Sequence, residues 1–325
     1  MLDLHRLRLL REFRLRGSIA ATAAALGYTP SAVSQQLAAL EREAGAPLLD
    51  RTARSAELTD AGRMLAAYAD QILDLVERAE TDLSAQSSEP TGRVVVSAFP
   101  TASVAFAPTL ARSLHDHPAL SLSLRQTGPG EGLPLVRSGE VDIALIDDWR
   151  GRLATRDDGV LRFFHLMRDP LVLIVPADHR LADPDARLNL RRLREDSWLA
   201  TPAGEPSRQA VDRMLAEVGG ALPVPWEFEG LNTILGLVAR GIGIAAVPTL
   251  ALAGGEPDIV VRRLPDATLA RDVYAVVRGS SVRRPSVSVI LQAIHAAAAA
   301  ATEHGRRRHR GRRPAARGGG QRRQA

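Results

Sequence analysis

Residues 17–41 constrain the fold more than any other stretch, because the boundaries of two short helices can be read from them directly. Ser18 can cap a first helix, and Gly27 can end it. Thr29 can cap a second helix with Pro30 in the first helical position, where the missing N–H of proline costs nothing. One face of each helix is apolar at helical spacing: Ile19, Ala23 and Leu26 in the first, and Val33, Leu37 and Leu40 in the second. The pattern therefore predicts two helices packed around a tight turn.

The opposite face of the second helix carries short, neutral side chains that form hydrogen bonds, namely Ser31, Ser34, Gln35 and Gln36. Many globular proteins contain an α-hairpin with a glycine turn, so a purely structural hairpin is one interpretation. The other is a helix-turn-helix, whose second helix lies in the major groove of DNA. Glutamine can bond adenine with two hydrogen bonds and serine suits either base type, so Ser31, Ser34 and Gln35 are the predicted base contacts. Thr29 and Pro30 would set the start of that helix.

The next segment, residues 47–62, has the pattern of a two-stranded wing that leads into another helix. Arg51 and Arg54 lie near its tip, and we expect them to hold phosphate groups or to enter the minor groove. From Leu4 to Gly62 the chain resembles the LysR-type transcriptional regulators. The resemblance rests on a small-residue-rich second helix, a Ser/Thr-x-Pro-like start of the recognition helix, a Leu-x-x-Arg wing and a Leu-Thr-x-Ala-Gly exit.

This resemblance implies a bacterial regulator that binds double-stranded DNA at a promoter or operator and responds to a small-molecule effector. It also implies a homodimer or homotetramer in functional contact with RNA polymerase, and no enzymatic activity. Two residues of the wing depart from the family's pattern: Ala53 stands where glycine is frequent at the turn, and Glu57 adds a negative charge.

Composition narrows the class of protein further. A chain of 325 residues that is 45% hydrophobic can form cores for two or three domains. It contains no cysteine, which excludes disulfides, thiolate catalysis and Cys-ligated zinc. Arginines interrupt residues 1–16, where a signal peptide would need an apolar run, and no uninterrupted apolar run of about 18 residues occurs. We therefore expect a soluble, cytoplasmic protein with no membrane partner.

The net charge of +5 is unevenly distributed, because the segment from Gly305 onward holds nine arginines and no acid, which leaves −4 for the rest. The composition of residues 303–325 predicts a disordered tail. Such a tail would add non-specific phosphate contacts, or it is an extension without a role. In the first predicted helix, Arg6, Arg8 and Arg11 are expected to be solvated or to lie near phosphate, and we favour solvation for each.

A long helix is predicted from Gly62 to Ser84, after a DNA-reading domain of residues 1–60. Its apolar residues follow one another in steps of three and four; they are Leu65, Tyr68, Ile72, Leu75 and Ala79. Such a seam can pack on its own domain or on a second copy of the chain. We favour dimerisation, because a helix between two domains has little of its own chain to contact, and the resemblance implies a linker helix paired antiparallel. Residues 86–92 are polar and include a proline, which predicts a hinge. The long helix and the start of this hinge make up the predicted linker, residues 61–89.

From Arg93 onward the predicted strands and helices alternate, which is typical of an α/β fold with parallel sheets. By resemblance this part is a two-lobed, doubly wound effector domain similar to periplasmic binding proteins. The expected bounds are 90–302 for the domain, 90–165 and 266–302 for lobe I, 166–265 for lobe II, and 163–165 and 262–266 for two crossovers.

Candidate effector-binding residues lie where strands end and helices begin. They are Pro100, Thr101, Ala102 and Ser103 after the first strand of lobe I, Asp147 after its third strand, and Thr201 and Asn232 in lobe II. Backbone N–H groups at a helix start, together with the hydroxyls of Thr101 and Ser103, suit an anion. By resemblance these residues line an effector cleft between the lobes. An ordinary helix cap is the alternative for any single one of them.

No other motif points to an enzyme. Gly241–Ala246 fits a dinucleotide fingerprint, but it follows a predicted helix and enters a strand, the reverse of the required order. His115 and His117 have no third ligand nearby, so we expect a solvated helix end and not a metal site. We predict no catalytic residue, no metal and no cofactor apart from the effector. Two other classes remain open: a doubly wound binding protein or enzyme with an incidental N-terminal bundle, and an architectural DNA-binding protein that acts through its arginine tail.

Overall fold

The computed structural model describes residues 1–51, 56–84, 90–153, 159–183, 185–216, 224–255, 258–264 and 269–310. The chain forms two compact units, each assembled from separate parts of the sequence. The first comprises residues 1–103, 107–166 and 273–295, and the second comprises residues 104–106, 167–272 and those from 296 onward.

The first unit begins with three helices and a wing. Their bounds are Leu4–Arg16 (α1), Ile19–Leu26 (α2), Pro30–Ala44 (α3), Leu49–Arg51 (β1) and Ala56–Leu58 (β2), followed by the long helix Asp60–Ser84 (α4). Ser18 Oγ accepts a hydrogen bond from the N–H of Ala21 at 3.1 Å, and Thr29 Oγ1 accepts one from the N–H of Ala32 at 3.2 Å. Gly27 ends α2 with a φ of +70°, a left-handed conformation that favours glycine. The helix boundaries predicted from residues 17–41 are confirmed.

The apolar faces of these helices meet in one core. Leu10 of α1 and Leu37 of α3 are fully buried there, and α4 contributes Ala66. Close approach of α4 to the wing depends on Gly62, since a Cβ at this position would lie 2.1 Å from the carbonyl oxygen of Leu48. The start of α4 therefore lies directly against Leu48, the residue that precedes β1.

The parallel sheet predicted for lobe I is present in the first unit. β3 (Gly92–Ala98) pairs in parallel with β4 (Leu120–Gln126) and with β5 (Ile143–Asp148). α5 (Pro100–Ser113) follows β3, and α6 (Gly132–Ser138) connects β4 to β5. The register sets Ala98 opposite Leu145, so the segments that follow β3 and β5 leave the same edge of the sheet.

The second unit contains strands of both directions, which corrects the expectation of parallel sheets throughout. Its elements are β6 (Leu161–Pro176), β7 (Leu199–Ala200), α7 (Pro206–Ala216), β8 (Trp226–Glu227), α8 (Leu231–Val238), β9 (Ala245–Pro248) and β10 (Ile259–Arg263). β7 and β8 are parallel, whereas β6 is antiparallel to both β9 and β10. β6 begins in the first unit and continues into the second without a helix before it, so the alternation of strands and helices does not set its direction.

Two strands begin in one unit and end in the other. Only one of them does so where the sequence predicted a crossover. β6 passes between Leu166 and Met167, directly after the crossover predicted at 163–165. The second passage lies between Asp272 and Val273, inside β11 (Ala270–Arg278), so the crossover predicted at 262–266 was too early. Residues 262 and 263 instead end β10, an edge strand, where charged residues are common and resemble a loop in the sequence.

The last helix, α9 (Pro285–Arg310), is longer than predicted. Residues 303–310 of the expected disordered tail are helical, because an alanine-rich run of high helix propensity precedes them, and 311–325 lie outside the described residues. Within the described part of the chain, Pro285–Gly305 is the one helix whose length and composition would allow it to cross a membrane. Its Val287 and Ile290 are fully buried in the protein, as in the core helix of a domain.

Candidate nucleic-acid interface and effector-binding residues

The N-terminal half of α3 exposes the side chains that were predicted to contact bases. Ser31 and Gln35 are exposed and Ser34 is half-buried, and their spacing puts all three on one face of the helix. Thr29 and Pro30 are also exposed, at the start of the same helix. The structure thus brings the five predicted residues of the recognition helix together on one accessible surface.

Arg51 of the wing, predicted to contact DNA phosphates or the minor groove, lies against this same helix. Its Nη1 donates a hydrogen bond to Ser34 Oγ at 2.7 Å, and its Nη2 lies 3.6 Å from Glu41 Oε2. A predicted wing contact and a predicted base contact are therefore joined in the protein without DNA. The other predicted wing residue, Arg54, lies outside the described residues, as does Ala53.

Glu41 of α3 was not among the residues predicted from the sequence. Its Oε1 accepts hydrogen bonds from the backbone N–H groups of Leu48 and Leu49, both at 2.9 Å. These donors lie at the start of β1, so one carboxylate of α3 holds the start of the wing. In the sequence, Glu41 is indistinguishable from a solvated glutamate near a helix end, because its partners follow a turn.

Arg6 connects α1 to α3, which corrects the expectation that it is solvated. Its Nε donates a hydrogen bond to Gln36 Oε1 at 2.9 Å, and its Nη1 forms an ion pair with Glu43. Gln36 belongs to the polar face of α3 in the sequence, but in the structure its amide oxygen accepts from α1. The polar face is thus divided between an internal contact and the exposed residues nearer the helix start.

Arg11 and Arg16 of α1 contact the last residue of α6 and the segment that follows it. Arg11 donates a hydrogen bond to the carbonyl of Ser138, and Arg16 forms an ion pair with Glu140. The expectation that Arg11 is solvated is therefore wrong: its side chain is 12% exposed, and this burial lowers the pKa of its guanidinium. Burial also raises the pKa of the adjacent carboxyl of Glu12. Carbonyl groups at a helix end carry partial negative charge, which attracts guanidinium groups.

Glu77 joins α4 to the same region through Arg278 of β11. Its carboxylate oxygens accept hydrogen bonds from Arg278 Nη2 at 2.6 Å, Ser280 Oγ at 2.8 Å and Ser281 Oγ at 2.6 Å. Burial disfavours the charge on Glu77, but these hydrogen bonds and the charge of Arg278 outweigh it and lower the pKa of Glu77 to about 2. Arg278 Nη1 also donates to the carbonyls of Val136 and Val141, at 2.6 and 3.2 Å. One network thus connects α4, β11 and the end of α6.

The predicted seam of α4 divides between two surroundings. Leu65 and Ile72 are half-buried and pack on the core of the N-terminal bundle, as the alternative interpretation expected. Tyr68, Leu75 and Ala79 are exposed, and together with Met64 and Leu83 they form an exposed apolar face of α4. Met64 and Leu83 were not predicted. Both belong to this face because they continue the helical spacing of its other members at either end.

The candidate effector-binding residues of the first unit lie at the edge of the sheet where β3 and β5 end. Thr101 and Ala102 are buried in the first turn of α5, and Pro100 is exposed at its first position. Asp147 lies near the end of the neighbouring strand β5, where its Oδ2 accepts a hydrogen bond from Trp149 Nε1 at 2.9 Å. This edge therefore holds the buried hydroxyl of Thr101, the start of α5 and the carboxylate of Asp147, which accepts a hydrogen bond from an indole.

Ser103 is not an ordinary helix cap, which corrects that alternative. The residue at the cap position is Phe99, whose side chain makes no capping hydrogen bond. Ser103 lies inside α5, and its Oγ donates to the carbonyls of Phe99 and Ala98 at 3.3 and 3.4 Å. Hydrogen bonds of this length are weak, so the hydroxyl can turn toward another acceptor at low cost.

Thr201 and Asn232 belong to the second unit. Thr201 is buried, with its Oγ1 2.8 Å from Ser207 Oγ in the first turn of α7. Arg208 Nη1 donates to the carbonyl of Thr201 at 3.1 Å and to Glu227 Oε1 at 2.7 Å, which fixes this loop against β8. Asn232 is exposed in the first turn of α8.

The remaining motifs of the sequence have structural roles. Gly241–Ala246 lies after α8 and leads into β9, so the predicted order of helix before strand is confirmed. His115 Nδ1 lies 3.2 Å from the carbonyl oxygens of Ala111 and Arg112 at a helix end. Among the residues that the structure describes, no group of three or more His, Asp or Glu side chains could hold a metal ion.

Comparison with protein families assigns most of the chain. Residues 4–63 match the model described as "Bacterial regulatory helix-turn-helix protein, lysR family". Residues 87–299 match the model described as "LysR substrate binding domain". The first match covers α1 to the start of α4, and the second covers β3 to β11 and most of α9.

Individual proteins with similar sequences are regulators. An uncharacterized HTH-type transcriptional regulator YfeR of Shigella flexneri is 30% identical over 243 residues, which cover 74% of this chain and 77% of that protein. A probable RuBisCO transcriptional regulator of Emiliania huxleyi is 28% identical over 255 residues, which cover 77% and 79% of the two chains.

Solved structures share the fold at lower identity. A full-length OxyR variant from Pseudomonas aeruginosa has a TM-score of 0.65 at 22% identity and covers 91% of this chain and 98% of its own. CbnR, a LysR family transcriptional regulator, has a TM-score of 0.52 at 22% identity, with 90% and 100% covered.

Proposed function

Because the chain belongs to the LysR family of transcriptional regulators, whose members bind DNA and effectors and are not enzymes, we propose how its own residues read DNA. Ser31, Ser34 and Gln35 contact base edges in the major groove, and Thr29 and Pro30 set the start of the helix that carries them. The observation that carries this proposal is that Ser31 and Gln35 are exposed and Ser34 is half-buried on the face of α3 opposite its buried leucines. Arg51 and Arg54 of the wing contact the DNA backbone or the minor groove.

Gln35→Ala is expected to weaken binding to the preferred DNA sequence by about 1–3 kcal/mol and to relax the preference at one base position per half-site. A glutamine that forms two hydrogen bonds to adenine loses both of them on truncation. The measurement is fluorescence anisotropy with two duplexes: the one that the wild-type protein enriches from a random pool, and a scrambled duplex of equal composition.

Gln209→Ala is the matched control, because it makes the same chemical change in α7 of the second unit, where Gln209 bonds the carbonyl of Gly204. The affinities of Gln209→Ala for the enriched and the scrambled duplex should equal those of the wild type. An unchanged ratio of the two affinities in Gln35→Ala would exclude Gln35 as a base contact.

We further propose that the effector is a small anion that binds where β3 and β5 end. The hydroxyls of Thr101 and Ser103 and the N–H groups at the start of α5 would hold it, and Pro100, Ala102 and Asp147 would shape the site. The support is the common edge of the two strands and the weakly bonded hydroxyl of Ser103. That Thr201 and Asn232 complete the site, in a cleft between the two lobes, stays a prediction from the sequence and the family.

Ser103→Ala is expected to weaken effector binding by about 0.5–1.5 kcal/mol, because it removes one hydroxyl and leaves the helix start intact. The probe is whichever of a panel of small carboxylates and phosphate esters most changes the affinity for the enriched duplex. Titration calorimetry with that compound measures the change.

Ser113→Ala provides the control, since Ser113 lies at the other end of α5 and bonds the carbonyl of Leu110 at 2.8 Å. Both variants should bind DNA like the wild type when no effector is present. Equal effector affinities in Ser103→Ala and wild type would remove Ser103 from the proposed site.

The exposed apolar face of α4 supports a homodimer or a homotetramer, with α4 of two chains paired along this face. Monomeric proteins rarely leave several large apolar side chains in one exposed row, as Met64, Tyr68 and Leu75 are here. We also propose that the regulator acts in the cytoplasm and contacts RNA polymerase, as expected of a protein that controls promoters.

A further inference from the structure

Glu41 lies between the recognition helix and the wing, and its contacts are with residues of the wing. A residue whose role is to contact bases would not need such contacts. One of its carboxylate oxygens accepts from the N–H groups of Leu48 and Leu49, and the other faces Arg51 Nη2 at 3.6 Å. The side chain of Glu41 is 19% exposed and that of Arg51 is 38% exposed. The carboxylate is therefore largely internal, whereas the guanidinium that it faces is accessible from outside.

Arg51 bridges two turns of α3. Ser34 and Glu41 are seven residues apart, which puts them on the same side of the helix and about 10 Å apart along its axis. One arginine nitrogen donates to Ser34 Oγ at 2.7 Å while another faces Glu41. A guanidinium that has a hydrogen bond at one nitrogen and a carboxylate facing another has a preferred orientation, whereas one with the hydrogen bond alone can rotate about it.

We propose that Glu41 is a positioning residue that determines sequence specificity: it holds Arg51 of the wing against Ser34, so that the arginine and the serine meet DNA as one preset pair. This inference rests on the proposed assignment of Ser34 to the recognition surface. Glu41 itself carries a negative charge and would be repelled by phosphate, so it acts through Arg51 and not by touching DNA.

The charge of Glu41 has a second consequence. It partly neutralises Arg51 and thereby limits how strongly this arginine attracts phosphate on any sequence. When the carboxylate charge is removed, Arg51 becomes a stronger non-specific contact and loses its fixed orientation. The affinity for the enriched sequence then increases little, because the arginine side chain must be ordered during association and this ordering costs free energy.

The test uses Glu41→Gln in the full-length protein, since the amide oxygen of glutamine can still accept from Leu48 and Leu49. We expect scrambled DNA to be bound more tightly, with a slope against the logarithm of salt concentration that is steeper by up to about 0.9. The ratio of affinities for enriched and scrambled duplexes should fall by about five-fold or more, a change comparable to the loss of one base contact.

Glu43→Gln is the control for charge. Glu43 lies on the same helix and pairs with Arg6, so the change in net charge is equal and occurs away from Arg51. Its affinity ratio should equal that of the wild type. An unchanged ratio in Glu41→Gln, or an equal fall in Glu43→Gln, overturns the proposal.

A double-mutant cycle separates positioning from a general effect on folding. In an Arg51→Gln background, adding Glu41→Gln should leave the ratio unchanged, because the residue through which Glu41 acts is gone. If the ratio falls by the same factor in both backgrounds, Glu41 acts only by holding the wing in shape, and the proposal fails.

A second variant keeps the test valid if Glu41→Gln does not fold. Arg51→Lys leaves Glu41 and its bonds to the wing in place, but an ammonium group cannot span Ser34 and Glu41 as the guanidinium does. The ratio of affinities for enriched and scrambled duplexes should fall while binding to scrambled DNA persists. A ratio equal to that of the wild type would mean that the contact of Arg51 with both Ser34 and Glu41 does not determine specificity. Gln35→Ala serves as the independent reference: if it loses discrimination and these variants do not, the recognition helix stands and only this inference is wrong.

Discussion

Glu77→Ala is expected to destabilise the first unit by about 3–5 kcal/mol, because it leaves the buried guanidinium of Arg278 without its carboxylate. The side chain of Arg278 is 9% exposed, and that of Glu77 is 22% exposed. The hydroxyls of Ser280 and Ser281 lose their acceptor in the same step. Since Glu77 retains some contact with water, the lower end of this range is the expected value.

Hydrogen exchange measures this effect where it occurs. The amides of β11 and α6 report the free energy of local opening, which a melting curve of a chain with two units would average. Glu80→Ala is the control, because it removes an exposed glutamate from the same helix. If the two substitutions change exchange by the same amount, the network around Arg278 contributes nothing to stability.

The same carboxylate makes the first unit sensitive to acid. The pKa of Glu77 is lowered from its ordinary value of 4.5 to about 2, so the folded state stabilises the ionised form. Its contribution is complete above pH 4.5 and is lost as the pH falls toward 2. The local stability of β11 and α6 in the wild type should therefore fall in this interval, and the fall should be smaller in Glu77→Gln.

Leu75→Arg is expected to dissociate the proposed oligomer and to lower the affinity for the enriched duplex by about 10²–10⁴-fold. Leu75 is 67% exposed in the single chain, so arginine is tolerated there until a second chain covers it. In the paired state the guanidinium would be desolvated among apolar side chains with no partner, which disfavours association. Two recognition helices would then no longer bind their half-sites as one molecule.

Sedimentation and DNA binding, measured on the same samples, test this expectation. Glu80→Arg is the matched variant, because it introduces the same side chain about 140° around α4 from Leu75. It should retain both the oligomer and the DNA affinity. An unchanged sedimentation coefficient in Leu75→Arg would mean that the chains associate through another surface.

Local signals in the sequence predicted the recognition helix well. Ser18, Gly27 and Thr29 act on neighbouring backbone groups, so their effect on the helix boundaries can be derived from adjacent residues alone. The spacing of apolar residues likewise predicted α4. It could not separate Leu65, which packs on its own domain, from Leu75, which does not, because both are apolar residues at similar helical spacing.

Contacts between distant residues could not be predicted in this way. Arg11 looks like one more arginine on a charged helix, yet its acceptor is the carbonyl of Ser138, 127 positions away. Glu77 and Arg278 are 201 positions apart, and neither belongs to a motif. The candidate site is divided in the same manner: the exposed residues of α3 follow from local rules, whereas the role of Glu41 depends on where the chain returns after a turn.

The contacts of α1 and α4 with the end of α6 matter to anyone who recombines regulators to obtain new sensors. The obvious place to exchange a DNA-reading head is the hinge near residue 90, which the sequence marks with polar residues and a proline. An exchange there would separate Arg11, Arg16 and Glu77 from Ser138, Glu140 and Arg278. A hybrid protein would therefore need a donor head with compatible residues at these three positions, or a transplanted α6 terminus and β11 to match.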